Sequence, residues 1–133
     1  MRLLYNFAIR AYLFITGVAG LFNPKARRFN RGQKGLLDSI RKAVVPGSPI
    51  IWVHCSSVGE FEQARPIIEW YKRERSRYRI LLTFFSPSGY ELRKNYNLAD
   101  WVFYLPIDTT SNARAFLDCV KPVKAIFIKY EFW

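Results

Sequence analysis

Two cysteines and one histidine among 133 residues leave little with which to build a metal centre or a disulfide framework. Cys55 and Cys119 show no CxxC spacing, and no second histidine accompanies His54. No metal or other cofactor is therefore expected, and both thiols read as buried structural groups in a reducing compartment. P-loop and GxGxxG patterns are absent, so a nucleotide-binding assignment for this stretch has no motif behind it. Internal repeats and low-complexity tracts are absent too.

Acidic residues are scarce. Ten Asp+Glu stand against 21 Lys+Arg, a net charge of +11, which favours phosphate-bearing partners or anionic lipid headgroups. Nucleic acid is the rival partner, but no helix-turn-helix, zinc-finger or RNP pattern supports it. The basic residues also gather beside an apolar N-terminus, and a membrane surface explains both features together.

That terminus, residues 3–22, is nearly all apolar or aromatic, broken by Asn6 and Arg10 and followed by Asn23-Pro24 and then Lys25, Arg27, Arg28, Arg31 and Lys34. About 20 apolar residues are needed to span a bilayer, and Arg10 near the middle would cost about 2.5 to 3.5 kcal/mol. Spanning and lying in the interface both remain open, with residues 1–24 as the anchor helix, and a buried amphipathic core helix is the structural alternative. A secretory signal is a weaker fit, since Gly17-Val18-Ala19-Gly20 is a poor cleavage site. The positive cluster would hold residues 25 onward in the cytoplasm. Residues 25–49, punctuated by Gly32, Gly35, Pro46, Gly47 and Pro49, read as a basic connector with one short helix through Leu36, Leu37, Ile40 and Val44.

From residue 50 the pattern alternates. The apolar run of residues 50–55 reads as a buried strand, and Phe61, Ala64, Ile67, Ile68 and Tyr71 then recur at helical spacing. Residues 80–85 form the next strand, Tyr90, Leu92, Arg93 and Tyr96 a helix, residues 101–105 a strand, Ala113, Phe116, Leu117 and Val120 a helix, and residues 125–130 a fourth strand. Strands alternating with helices predict a Rossmann-like α/β domain over residues 50–133, a doubly wound, mostly parallel sheet. Pro66 inside the first of these helices predicts a kink or a short first turn.

The loops after the strands carry Ser56-Ser57-Val58-Gly59-Glu60, Ser86-Pro87-Ser88-Gly89 and Pro106-Ile107-Asp108-Thr109. In an open parallel sheet they gather at the edge where ligands bind, and the helix starts there offer N–H groups to phosphate or an oxyanion. Ser57, Gly59, Ser86, Ser88 and Gly89 are the candidate substrate-binding residues. Glu60 has two readings. Ser57-x-x-Glu60 is the capping-box pattern, and a carboxylate at that edge is also placed to act as a general base. Glu131, after the last strand, is the second acid in such a position, a salt bridge to Lys129 or Arg114 being the ordinary alternative. The run Lys72, Arg73, Arg75, Arg77 and Arg79 reads as an exposed helix end or as a contact for phosphate or membrane.

Three motifs, residues 54–66 (HCSSVGEFEQARP), 82–90 (LTFFSPSGY) and 129–133 (KYEFW), resemble the N-terminal half of 3-deoxy-D-manno-octulosonic acid (Kdo) transferases. The resemblance implies the N-terminal, acceptor-receiving domain of a two-domain GT-B glycosyltransferase. It implies transfer of Kdo from CMP-Kdo to a lipid A precursor, lipid IVA, in lipopolysaccharide biosynthesis at the cytoplasmic face of the bacterial inner membrane. It assigns Glu60 as general base and Glu131 to transition-state stabilisation, and it implies that the donor-binding C-terminal domain lies outside this chain, which alone is then inactive. Cys55 stands where a small residue such as Ala is expected. The rival reading is a non-catalytic membrane-surface or phosphate-binding α/β module.

Overall fold

A computed structural model describes residues 2–45 and 47–128, with residues 2, 3, 4 and 6 described by their backbone alone. Four parallel strands, β1 (Ile50–Cys55), β2 (Arg79–Phe84), β3 (Trp101–Tyr104) and β4 (Lys124–Phe127), form one sheet in the order β3-β2-β1-β4. The chain winds outward from β1 through β2 to β3 and then crosses back to lay β4 on the other side of β1. The direction of winding thus reverses between β1 and β4. Every residue of β1 is buried, which explains the unbroken apolar run, because a central parallel strand is covered on both faces.

The helices that cover the sheet are α3 (Leu36–Ala43), α4 (Val58–Glu74), α5 (Pro87–Arg93) and α6 (Thr110–Val120). On one face Phe61, Ala64, Ile68 and Tyr71 of α4 pack on Val53, Cys55 and Leu82. On the other, Leu36 and Ile40 of α3 and Phe116 and Val120 of α6 pack on Ile50, Trp52 and Leu81. Three buried polar side chains of that second face satisfy one another. Trp52 Nε1 donates to Thr83 Oγ1 at 2.8 Å, and the same hydroxyl pairs with His54 Nδ1 at 2.9 Å. Helix α4 continues through Pro66. The proline itself is exposed.

The stretch read as a connector with one helix holds two. Besides α3 there is α2 (Pro24–Gln33), capped by Asn23, whose side chain accepts from Lys25 N at 2.8 Å, with Pro24 in its first turn. Asn-Pro ends a helix as well as it starts one, and here it does both. Gly32 is not a turn residue: a Cβ there would lie 2.4 Å from Tyr104 Cε2, so glycine admits the ring against the helix.

The N-terminal helix α1 (Arg2–Phe22) lies against α2. Asn30 Nδ2 donates to Thr16 O at 2.8 Å, Arg27 reaches back to the carbonyls of Gly20 and Leu21, and Tyr12 meets Phe29 edge-on. Phe7, Phe14, Ile15, Val18, Leu21 and Phe22 remain exposed. Among the described residues no helix is long and apolar enough to cross a membrane. The Tyr5 hydroxyl donates to Asp108, and this bond, with burial, pushes the phenol up to about 12.

Much of the basic run at the end of α4 is structural. Asp100 accepts from Lys72, from Ile80 N at 2.7 Å and from Arg79 at 2.9 Å, tying α4, β2 and β3 at the amino edge of the sheet. Arg73 pairs with Glu74, and Arg75 and Arg77 lie over the rings of Trp70 and Tyr78. Burial alone would raise the Asp100 carboxyl, but its three donors outweigh burial and hold it below the usual value. A folded-state value below the unfolded one means that this stabilisation is complete above 3.8 and is lost as pH falls through the lower folded value. Asp100→Asn is expected to lower stability by about 1–3 kcal/mol at neutral pH. Urea midpoints of the two proteins should converge in acid, and a gap that does not change with pH would contradict the assignment.

Candidate active site

The β1 loop is built by the cap of α4. Ser57 is extended (φ −141°, ψ 171°) and its side chain accepts from Glu60 N at 3.3 Å. The Glu60 carboxylate folds back, but one residue further than a standard capping box: Oε2 accepts from Ser56 N at 2.6 Å. Sequence spacing anticipates the pairing of Ser57 with Glu60 and misses this shift. Among the described residues Oε1 takes no hydrogen bond, and the side chain is only partly buried.

The carbonyl of Ser56 accepts from Ser86 N at 3.0 Å, so the loops after β1 and β2 are stitched through one peptide. That bond brings Ser57, Glu60 and Ser86 into one neighbourhood. Ser88 is exposed on α5. Gly89 is buried, and a Cβ there would lie 2.7 Å from Phe84 Cδ1, so its small size serves helix-to-strand packing. Gly59 is exposed, and a Cβ there would meet Ser57 Oγ at an ordinary 3.9 Å. The third loop is capped in the same way as the first, Thr109 accepting from Asn112 N at 3.2 Å.

β4 leaves the sheet beside β1, with His54 opposite Phe127 and Ile128 N donating to His54 O at 3.2 Å. The loop of β1 therefore opens at the point where the winding reverses, which is where ligands bind in open α/β sheets. Glu131, and with it the whole motif of residues 129–133, lies outside the described residues.

Sequence reasoning missed a second feature. A cavity of about 460 Å³ opens between α2, the start of α3, α5 and the end of β3, with Arg28, Arg31, Lys34, Tyr90 and Tyr104 in its walls. It includes none of the candidate site residues. The basic cluster is visible in the sequence, but nothing local pairs it with Tyr104.

A family model described as 3-deoxy-D-manno-octulosonic-acid transferase (kdotransferase) matches residues 25–133. The chain belongs to the Kdo transferase family. Similar proteins named 3-deoxy-D-manno-octulosonic acid transferase include one from Aquifex aeolicus, 39% identical over 84 residues, covering 62% of this chain and 23% of the relative. Another, from Haemophilus influenzae, is 29% identical over 116 residues, or 86% of this chain and 27% of the relative. The one from Chlamydophila psittaci is 26% identical over 137 aligned residues, covering 98% and 32%. The chain thus spans between about a quarter and a third of these Kdo transferases. The parallel α/β sheet with helices on both faces agrees with the N-terminal domain expected of a GT-B transferase.

The cap is testable alone. Ser57→Ala is expected to cost about 0.5–2 kcal/mol, read as a lower urea midpoint with the slope unchanged. A variant as stable as the parent would show that the Glu60 bond to Ser56 suffices to start α4.

Proposed function

We propose that this chain is the acceptor-receiving part of an inverting glycosyltransferase that moves Kdo from CMP-Kdo to a lipid A precursor, lipid IVA, in lipopolysaccharide biosynthesis, with Glu60 as general base. The observation that carries the reading is the division of labour within one carboxylate. Oε2 is fixed by Ser56 N at 2.6 Å, while Oε1 is uncommitted among the described residues. Capping and catalysis are then compatible: one oxygen sets the rotamer and the other is left to receive a proton.

In this mechanism an acceptor hydroxyl approaches Oε1. Its proton passes to the carboxylate as its oxygen bonds to the anomeric carbon of Kdo, and the bond from that carbon to the CMP phosphate breaks on the opposite side, releasing CMP with the bonding pair. Displacement from the opposite face inverts the centre. The fixed rotamer lowers the entropic cost of alignment. Glu131 would stabilise charge in the transition state, and the donor would be held by a second domain. No metal or other cofactor enters the scheme.

Glu60→Gln separates the two roles, because the amide oxygen still accepts from Ser56 N but cannot take the proton. In the complete enzyme, turnover is expected to fall by about 10² to 10⁴ while folding stability drops by only about 1 kcal/mol, the difference between a charge-assisted and a neutral hydrogen bond. Near-normal turnover would leave Glu60 as a cap and favour the non-catalytic module.

The exposed apolar side of α1 and the basic residues behind it support attachment to an anionic membrane at the cytoplasmic face of the inner membrane. The chain should sediment with anionic vesicles at low salt, and Phe14→Ser with Leu21→Ser should release it. A chain that stays in the supernatant would contradict this attachment.

A further inference from the structure

The basic residues after α1 do not form one solvated stripe. Arg27 is committed to the carbonyls at the end of α1, whereas Arg28, Arg31 and Lys34 line the 460 Å³ cavity beside β3. Among the described residues none of these three pairs with a carboxylate. Glu91, the acid in the cavity wall, is paired with Lys94 at 2.8 Å. The cavity wall thus carries three cations against one carboxylate, and that carboxylate is already paired.

An independent observation concerns its inner wall. Tyr104 is 3% exposed, and its hydroxyl is buried without a hydrogen-bond partner, an arrangement that folded proteins seldom keep without a reason. Burial, followed by the nearby charge of Glu91, pushes this phenol up to about 12, so at neutral pH it is a proton-bearing donor. Glu91, Tyr90 and Arg28, the groups whose charges reach it, all line the cavity. Gly32 on one side and the stacked Tyr90 ring at 4.1 Å on the other hold the Tyr104 ring in place.

We propose that this cavity binds a phosphate monoester, with Arg28, Arg31 and Lys34 supplying the charge and the Tyr104 hydroxyl, closed to water here, donating to the ligand once the side chains that cover it shift. The site is at the β3 margin of the sheet. β3 is two strands from β1, about 10 Å at the usual strand spacing, so the site does not rest on the catalytic role of Glu60. A membrane lipid bearing a terminal phosphate and a free sugar phosphate offer the same chemistry.

Calorimetric titration of the full chain with inorganic phosphate tests it. Saturable one-to-one binding is expected that chloride at equal ionic strength does not reproduce. Arg31→Gln should weaken it roughly tenfold. Tyr104→Phe should weaken it by about threefold to tenfold while leaving the thermal midpoint unchanged or raised, since it deletes an unpartnered buried hydroxyl. Binding that never saturates, or that neither variant weakens, would overturn the proposal. Competition then identifies the source: glucose 1-phosphate in one arm, phosphatidylcholine vesicles containing phosphatidic acid in the other. Whichever displaces inorganic phosphate at the lower concentration represents the ligand, and displacement by neither would overturn the site.

Discussion

Both backbone groups of Ser56 are bonded, its N–H to Glu60 Oε2 at 2.6 Å and its carbonyl to Ser86 N at 3.0 Å. Remove the first bond and the acid loses its rotamer; remove the second and the loops after β1 and β2 are free to slide past one another. A charge-assisted hydrogen bond is worth about 1.5–3 kcal/mol, a noticeable fraction of the stability of a domain this size. The position of the Glu60 carboxylate is therefore determined by backbone groups of the loops that leave the two central strands, which the sheet itself keeps in register.

The opposite edge explains why that register holds. Asp100 gathers Lys72, Arg79 and the Ile80 amide where β2 and β3 begin, while Trp52, Thr83 and His54 bond inside the sheet near its carboxyl end. Several basic residues suited in type to bind phosphate are thereby occupied with structural work at the amino edge. Arg28 and Arg31 on α2, with Lys34 just after it, line the cavity at β3 instead. Formal charge thus overstates how many cations are available to ligands, and the location of each decides its use.

Unbroken apolar runs make the strands readable, because the central strands are covered on both faces, and the 3.6-residue period reveals the helices α3 to α6, because each buries one face against the sheet. α2 is hidden because Asn23-Pro24 and Gly32 are signals of chain breaks, and only the approach of Tyr104 explains the glycine. Gly89 reads as a candidate substrate-binding residue, and its close approach to Phe84 is not visible in the spacing. The cap at Ser57 is legible from three-residue spacing. The reach of Glu60 to Ser56 is not, since it depends on side-chain rotamers and on the direction in which the chain enters the helix. The phosphate cavity is invisible for a related reason: its charge and its buried hydroxyl are brought together only by the packing of α2 against the end of β3.

A structure of the complete enzyme with its lipid acceptor bound would test the role of Glu60 most directly. The reacting hydroxyl should lie within about 2.6–3.2 Å of Glu60 Oε1, with Oε2 still on the Ser56 amide. An acceptor hydroxyl lodged elsewhere, with both carboxylate oxygens taken up by the start of α4, would contradict it.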